Sequence, residues 1–448
     1  MHEGPVVLIT LDSLRADVVT GLGGDPGLTP NLARLLGEAD WGGRAIAPSS
    51  WAVPAMASLF TGLRPWQHQA LRPGAARLSP ALFTLPEALQ AAGYETAGYV
   101  SGPWYTKQHG YDQGFDLLEP FGTGDRAAER LKGLDEGRHF VWIHIPQPQA
   151  PYIRRKRLAS RLGPGEPRLP NRVMPYQLEP FFDPAVPLPP HARRRFWAMY
   201  RLNAAWADER LGRLLEALRA SGRWDATLLV VTANHGEELK EHGQIRSGGN
   251  LGRALLEVPL AVKLPAGSGL RLAEPEDRRV GAARLWATLV AAVGGEVPAA
   301  AAPSLAKQAP AGVLSELYLT NGSNRFSLVE GDYQLTWESS FAPPEPEYYR
   351  ARLAGLARGR KDGAGLSRPP QRIFDGLLAS FLSSPPLSGR GEPRLTLERW
   401  GEHGCEPMDD PKRQEEMARR LVAGWGAFVP GEAPPSEEAR QWYTGKPP

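Results

Sequence analysis

The chain carries 448 residues, enough for one large α/β domain and a smaller companion. Its formal net charge of +3 is too small to point to a nucleic acid or a membrane surface, and its 42% apolar content is that of an ordinary water-soluble globular protein. Cys405 is the only cysteine, so no intrachain disulfide forms and no oxidising compartment is indicated.

Met1–Pro5 leads straight into Val6–Leu11, a continuous apolar run of the kind that makes a strand buried on both faces and ends at Asp12. That start leaves no room for a signal peptide, and no apolar run reaches membrane-spanning length, so a cytoplasmic protein is expected. Thr29-Pro30-Asn31 looks like an N-cap with proline in the first turn, opening a helix over Leu32–Leu36. Pro48-Ser49-Ser50-Trp51-Ala52-Val53-Pro54-Ala55-Met56 reads as a loop running into a buried helix that stops at Gly62. Thr84 and Glu87 fit a capping box for Leu85–Ala92, and Glu95–Ser101 is the next strand. Phe140–His144 is a short apolar strand leading to Gln147 and Gln149.

Residues 153–190, rich in Pro and Arg, read as a long irregular insertion; the basic runs Arg154–Arg157 and Arg193–Arg195 are solvated faces. His191–Ala220 is a long helix with Leu211, Leu214, Leu215 and Leu218 on one stripe. Strands follow at Thr227–Thr232, ending at Asn234-His235, and at Leu256–Leu264, then a helix over Ala282–Gly294 and a linker at Pro298–Pro303. The tail offers a hairpin, Arg325–Leu328 with Tyr333–Trp337, an irregular insertion over 340–393, a strand at Leu395–Arg399 and a helix opened by Asp410-Pro411. The alternation predicts an α/β fold: a mostly parallel central sheet with helices on both faces over residues 1–305, and a small C-terminal α+β subdomain over 306–448.

In open α/β sheets ligands bind beyond the carboxyl ends of the strands. Asp12, Gln147 with Gln149, and Asn234 with His235 end three strands, and the helix start at Ala52, with its free N–H groups, is a natural anion seat. Segments in order carry a resemblance: Leu8–Asp17, Leu28-Thr29-Pro30-Asn31-Leu32, Gly110–Asp116, Thr232-Ala233-Asn234-His235-Gly236-Glu237, Glu241-His242-Gly243 and Val258-Pro259-Leu260. Together they resemble the sulfatase family of the alkaline-phosphatase-like superfamily over most of residues 5–265.

That resemblance implies a nucleophile at position 52 within Cys-x-Pro-x-Arg, but Ala52 carries a methyl group and Met56 stands at the arginine position. It implies a divalent cation (Ca²⁺, Mg²⁺, Mn²⁺ or Zn²⁺) held by carboxylates. Asp12 and His235 match that set, while Ser13, Asn234 and Gln147 stand where charge is usual. Gln149 replaces the histidine of Asp-x-His-x-Pro-Tyr, and Ser247 stands at an anion-contacting position, with Arg246 before it as a displaced positive charge. Every replacement removes a nucleophile, a charge or a proton carrier. The expectation is a sulfatase-like protein without hydrolytic activity and without a cofactor. It would bind an anionic small molecule or a protein, itself or an active paralogue included. The alternative is a metal-dependent sulfuric or phosphoric ester hydrolase. Its displaced nucleophile would be Ser49 or Ser50, or water activated by His144, His235 or His242.

Overall fold

The structure is a computed structural model that describes residues 1–71, 76–273, 279–298, 301–308, 312–319, 323–340, 394–401 and 404–424. Its central sheet holds β1 (Val6–Asp12), β2 (Trp41–Ile46), β3 (Glu95–Val100), β4 (Leu117–Pro120), β5 (His139–Pro148), β6 (Leu228–Ala233), β7 (Glu257–Lys263) and β8 (Arg279–Gly281). Across the sheet the order is β8-β2-β7-β6-β1-β5-β3-β4. β1 lies between β5 and β6, parallel to both, and every one of its residues is buried. Only β7 runs against the rest, pairing antiparallel with β6 and β2. The unbroken apolar runs of β1 and β6 follow from this, because helices cover both faces and leave no polar side.

The carboxyl ends of β1, β2, β3, β5 and β6 therefore share one rim. β2 was not legible as a strand, since Trp41-Gly42-Gly43-Arg44 carries little apolar signal. Gly42 is required there: a Cβ would lie 2.1 Å from the Leu36 carbonyl oxygen, so only glycine lets helix α1 (Pro30–Glu38) pack this close. From β2 the chain runs through Ala47–Trp51 into α2 (Ala52–Thr61), which is buried on every side and stops at Gly62 in the left-handed region, as its sequence predicts. Helix α3 (Leu85–Ala91) starts with the expected capping box of Thr84 and Glu87.

β4, helix α4 (Asp125–Lys132) and the tail strand Val313–Tyr318 also carry no clear pattern and emerge only in the structure. The β5 strand runs on to Pro148, past the apolar stretch, because it keeps pairing with β1 through Leu11–Ile145 and, after a bulge, Asp12–Pro148, while β3 pairs with it only as far as His144. Thr29 is a correction of detail: its hydroxyl accepts from Thr20 rather than from its own helix. Asp208 of the long helix α5 (Pro190–Ala220) caps α1 instead, accepting from the Leu32 amide at 2.8 Å and the Asn31 amide at 3.3 Å. Residues 153–190 form short 3₁₀ turns and one small ribbon, Tyr152–Ile153 with Arg172–Val173.

After α6 (Arg284–Ala292) an antiparallel sheet takes over: β9 (Val313–Tyr318), β10 (Ser323–Glu330), β11 (Tyr333–Ser340), β12 (Arg394–Gly401) and β13 (Gly404–Pro407), in sequential order. The expected hairpin is β10–β11, with Glu330 opposite Tyr333. Helix α7 (Pro411–Gly424) packs Met417 and Leu421 against Leu335 and Leu397. The insertion read at 340–393 lies outside the described residues from 341 onward, as does part of the Pro298–Pro303 linker. β9 is stitched to the loop before α2: the Glu316 amide donates to Pro48 at 2.9 Å and the Ser315 hydroxyl to Ala47 at 2.7 Å. Among the described residues, no helix is long and apolar enough to cross a membrane.

Candidate functional site

At the rim, β1 ends in Asp12 and β6 leads into Asn234 and His235, all three buried. Asn234 Oδ1 accepts from the backbone amides of Ser13 (3.1 Å) and His235 (2.8 Å), which fixes the orientation of the amide. Its Nδ2 then donates to Asp12 Oδ1 at 2.9 Å and to the Tyr105 hydroxyl at 2.9 Å. The opposite orientation would set a carbonyl against a carboxylate and an NH₂ against two N–H donors.

Tyr105 lies in the loop beyond β3, with 1% of its surface exposed. Its hydroxyl donates to the Ala52 carbonyl at 3.4 Å, and its ring meets the His144 ring edge-on at 4.4 Å. Burial, with Asp12 beside it, pushes this phenol well above its ordinary value, so it stays protonated. One side chain thus joins the strand end to the helix start.

His144 is oriented by a chain of donors. Trp142 Nε1 donates to the Thr10 hydroxyl (3.0 Å), which lies 2.8 Å from His144 Nδ1. Thr10 can then donate to that nitrogen, leaving Nε2–H to face Asp12 Oδ2 at 3.6 Å. His235 Nδ1 donates to Gly236 O at 2.7 Å, so Nε2 carries the lone pair and faces Asp12 Oδ1 at 3.5 Å without a partner. Burial holds His235 below its ordinary value despite Asp12. Burial works the other way on Asp12, but His144, His235 and Asn234 together keep it ionised and below its usual range.

Beside this set, Glu237 is 1% exposed and neither carboxyl oxygen has a hydrogen-bond partner. Burial lifts it to about 7, against the pull of nearby Arg246 and with a further push from Asp12. Arg246 is half-buried in the left-handed region (φ 69°), and its Nε has no partner. Ser13 is held in the same backbone region (φ 65°) by Asn234 and by Tyr200, whose hydroxyl donates to Ser13 O at 2.7 Å.

The other expected positions are spread around the rim. Ala52 opens α2 and Met56 is fully buried in the core behind it. The Gln147 side chain turns to the long helix, accepting from Arg210 at 2.8 Å, while the Gln149 backbone N–H donates to Asp12 O at 3.2 Å. Ser49 and Ser50 are fully buried, and neither hydroxyl has a partner. Ser247 is half-buried, next to Gly248, whose amide donates to Ser50 O at 2.9 Å. His242 lies away from Asp12, against Glu238 and the tail sheet. Sequence pattern alone passes over Tyr105 and gives Glu237 no role. The signal for Tyr105 was its position, an aromatic residue in a Gly-Pro loop just past the carboxyl end of β3.

The donor set does not suit a resident divalent cation. Asp12 Oδ1 and His235 Nε2 are the two acceptors facing each other. The third group on that face is an amide NH₂ already bonded to Asp12, and the Asn234 oxygen is consumed by two backbone amides. One carboxylate is too little charge for a hard cation that must shed its water.

A profile of the family described as Sulfatase matches residues 5–139 and 125–295. The multifunctional alkaline phosphatase superfamily protein PehA of Trinickia caryophylli is 25% identical over 414 residues, covering 71% of this chain and 80% of that protein. The fold is similar to the phosphonate monoester hydrolase of Agrobacterium radiobacter (TM-score 0.58, 18% identity, 91% of this chain and 100% of that one). It is also similar to a Bacteroides thetaiotaomicron protein described as a sulfatase (TM-score 0.60, 17% identity, 84% of this chain and 92% of that one).

Proposed function

This chain belongs to the sulfatase family, and from that premise we propose that it has kept the hydrolase fold without ester hydrolysis and works as a binding or interaction protein. The observation that carries the reading is Tyr105. Its hydroxyl joins Asn234 to the Ala52 carbonyl, so position 52 and the strand-end groups are tied into one buried hydrogen-bond network of the protein's own side chains. The chemistry agrees. A methyl group at position 52 cannot attack sulfur or phosphorus, and Met56 cannot clamp an anion. Losing the nucleophile alone removes on the order of 10⁶ in turnover from a hydrolase of this kind of design.

A second reading is favoured by one observation: Ser49 and Ser50 carry unpartnered hydroxyls one turn before the helix start, and Glu237 titrates near 7 on the same rim. A displaced serine nucleophile with a carboxylate base would use these groups.

Aryl sulfate, aryl phosphate and phosphonate monoester assays on the pure protein decide between the two, with and without Ca²⁺, Mg²⁺, Mn²⁺ or Zn²⁺. The first reading expects rates at the level of heat-inactivated protein. Metal-stimulated release that disappears in Ser49→Ala or Ser50→Ala overturns it in favour of the second. The partner, an anionic small molecule, a second copy or an active paralogue, is sought by co-purification from a cytoplasmic extract.

A further inference from the structure

We propose a second site, independent of the rim, in which His242, Glu398 and Cys405 bind a transition metal of the Zn²⁺ class and fasten the tail sheet to the central domain. The three side chains offer ligand atoms that all lie within 4.8 Å of one another. His242 Nε2 and Glu398 Oε2 are 3.7 Å apart. A tetrahedral zinc with bonds of about 2.0–2.3 Å sets neighbouring ligands roughly 3.5 Å apart, so only small side-chain movements are needed.

The fold explains why they meet. In the β12–β13 pair Trp400 lies opposite Cys405, and Glu398 is two residues before Trp400. Side chains two apart share a face of the sheet, so Glu398 and Cys405 are diagonal neighbours on one side of the tail sheet. His242 reaches that face from the loop after the Glu238–Leu239 strand of the central domain. It comes oriented: Nδ1 faces Glu238 Oε1 at 3.4 Å while Nε2 points to Glu398. A carboxylate behind the distal nitrogen of an imidazole is the arrangement that fixes a metal-ligating histidine.

The ligand chemistry selects the metal. A thiol, an imidazole and one carboxylate suit Zn²⁺ or Co²⁺ and reject Ca²⁺ and Mg²⁺, which need oxygen throughout. On binding, the Cys405 thiol and the His242 imidazolium, which against the effect of burial is kept protonated by Cys405, Glu238 and Glu398, each give a proton to solvent, and the sulfur and Nε2 form the metal bonds. The site borders a cavity of about 580 Å³, which leaves a fourth position for water. The three arginines lining that cavity each face a carboxylate, Arg15 with Asp17 and Glu241, Arg193 with Glu241 at 4.0 Å and Arg253 with Glu257, so they do not repel the ion at full strength.

The test titrates Co²⁺ into chelator-stripped protein. One equivalent should bind and give a near-ultraviolet thiolate-to-cobalt charge-transfer band, whose sole source is Cys405, the only cysteine in the chain. Zn²⁺ should displace the cobalt, Ca²⁺ and Mg²⁺ should not, and Zn²⁺ should raise the melting temperature of the wild type. Cys405→Ser should lose the band while melting in chelator as the wild type does. Glu238→Gln should weaken Zn²⁺ binding about 10- to 100-fold. Absence of stoichiometric binding overturns the proposal. So does a metal bound without the charge-transfer band and unaffected by Cys405→Ser, which would place the ion at the Asp12 rim and count against the reading of that site instead.

Discussion

The amide nitrogen of Asn234, not its oxygen, lies 2.9 Å from Asp12 Oδ1. A neutral donor thus stands where a second carboxylate would be needed to hold a cation. Asn234→Asp reverses this: two carboxylates would meet in a buried site, each raising the other's pKa. The variant should melt well below the wild type in chelator and recover when Ca²⁺ or Mn²⁺ is added, whereas the wild type should be indifferent to both. Equal metal protection of wild type and variant, followed by differential scanning calorimetry, would refute this account of the rim.

Tyr105→Phe removes only the hydroxyl that joins Asn234 to Ala52. A buried donor and a carbonyl lose their partner, at a cost of about 1–3 kcal/mol in urea unfolding. Tyr105→Ala should cost more, about 3–5 kcal/mol, and leave a cavity between Asn234 and Ala52. Inorganic phosphate should then raise the melting temperature of Tyr105→Ala and leave the wild type unchanged. Neither variant should hydrolyse esters, because position 52 still lacks a nucleophile.

Glu237 has an ordinary value of 4.5 and is lifted to about 7 by burial. Between those values the folded chain holds a proton that the unfolded chain has lost. Stability from this group is therefore present at low pH and disappears as pH rises through about 7. The loss is on the order of 3 kcal/mol as an upper figure. Glu237→Gln should be the more stable protein at pH 8, with its advantage shrinking towards pH 5 in urea midpoints. An advantage that does not vary with pH would show that the carboxyl is not carrying this proton.

Asp208 caps a helix that is not its own. Its carboxylate accepts from the Asn31 and Leu32 amides, and the Asn31 side chain donates to it at 2.9 Å. Asp208→Ala should cost about 2 kcal/mol, as a strong N-cap does. Hydrogen exchange should quicken at the Asn31 and Leu32 amides first, while the amides of β1 keep their protection.

The sheet was legible in the sequence where burial on both faces leaves an unbroken apolar run, as in β1 and β6. Helices were legible where their ends carry caps, as at Thr84 and Gly62. β2 was not, because its glycines serve the close approach of α1 rather than strand propensity. The same split runs through the site. Asp12, Asn234 and His235 sit at strand ends and could be named from position. Tyr105 and Glu237 could not be assigned, since their roles come from contacts across the fold: Tyr105 bonds Ala52, 53 positions away, and Asn234, 129 positions away. No local pattern encodes such pairs. The cap at Thr29 was misplaced for the same reason, its partner being 9 residues back and its replacement on another helix.

The stitch between β9 and the loop ahead of α2 sets an order of events during synthesis. Ser315 and Ala47 are 268 positions apart, so the loop gains this bond only once most of the chain has left the ribosome. Until then the Ala47 and Pro48 carbonyls of that loop wait for their tail partners, while the Ala47 amide and the Ser50 carbonyl are tied to Leu256 and Gly248 of the central domain. A nascent chain stalled before residue 312 should be nicked there by protease far sooner than the released protein, making this segment a late checkpoint in the protein's maturation.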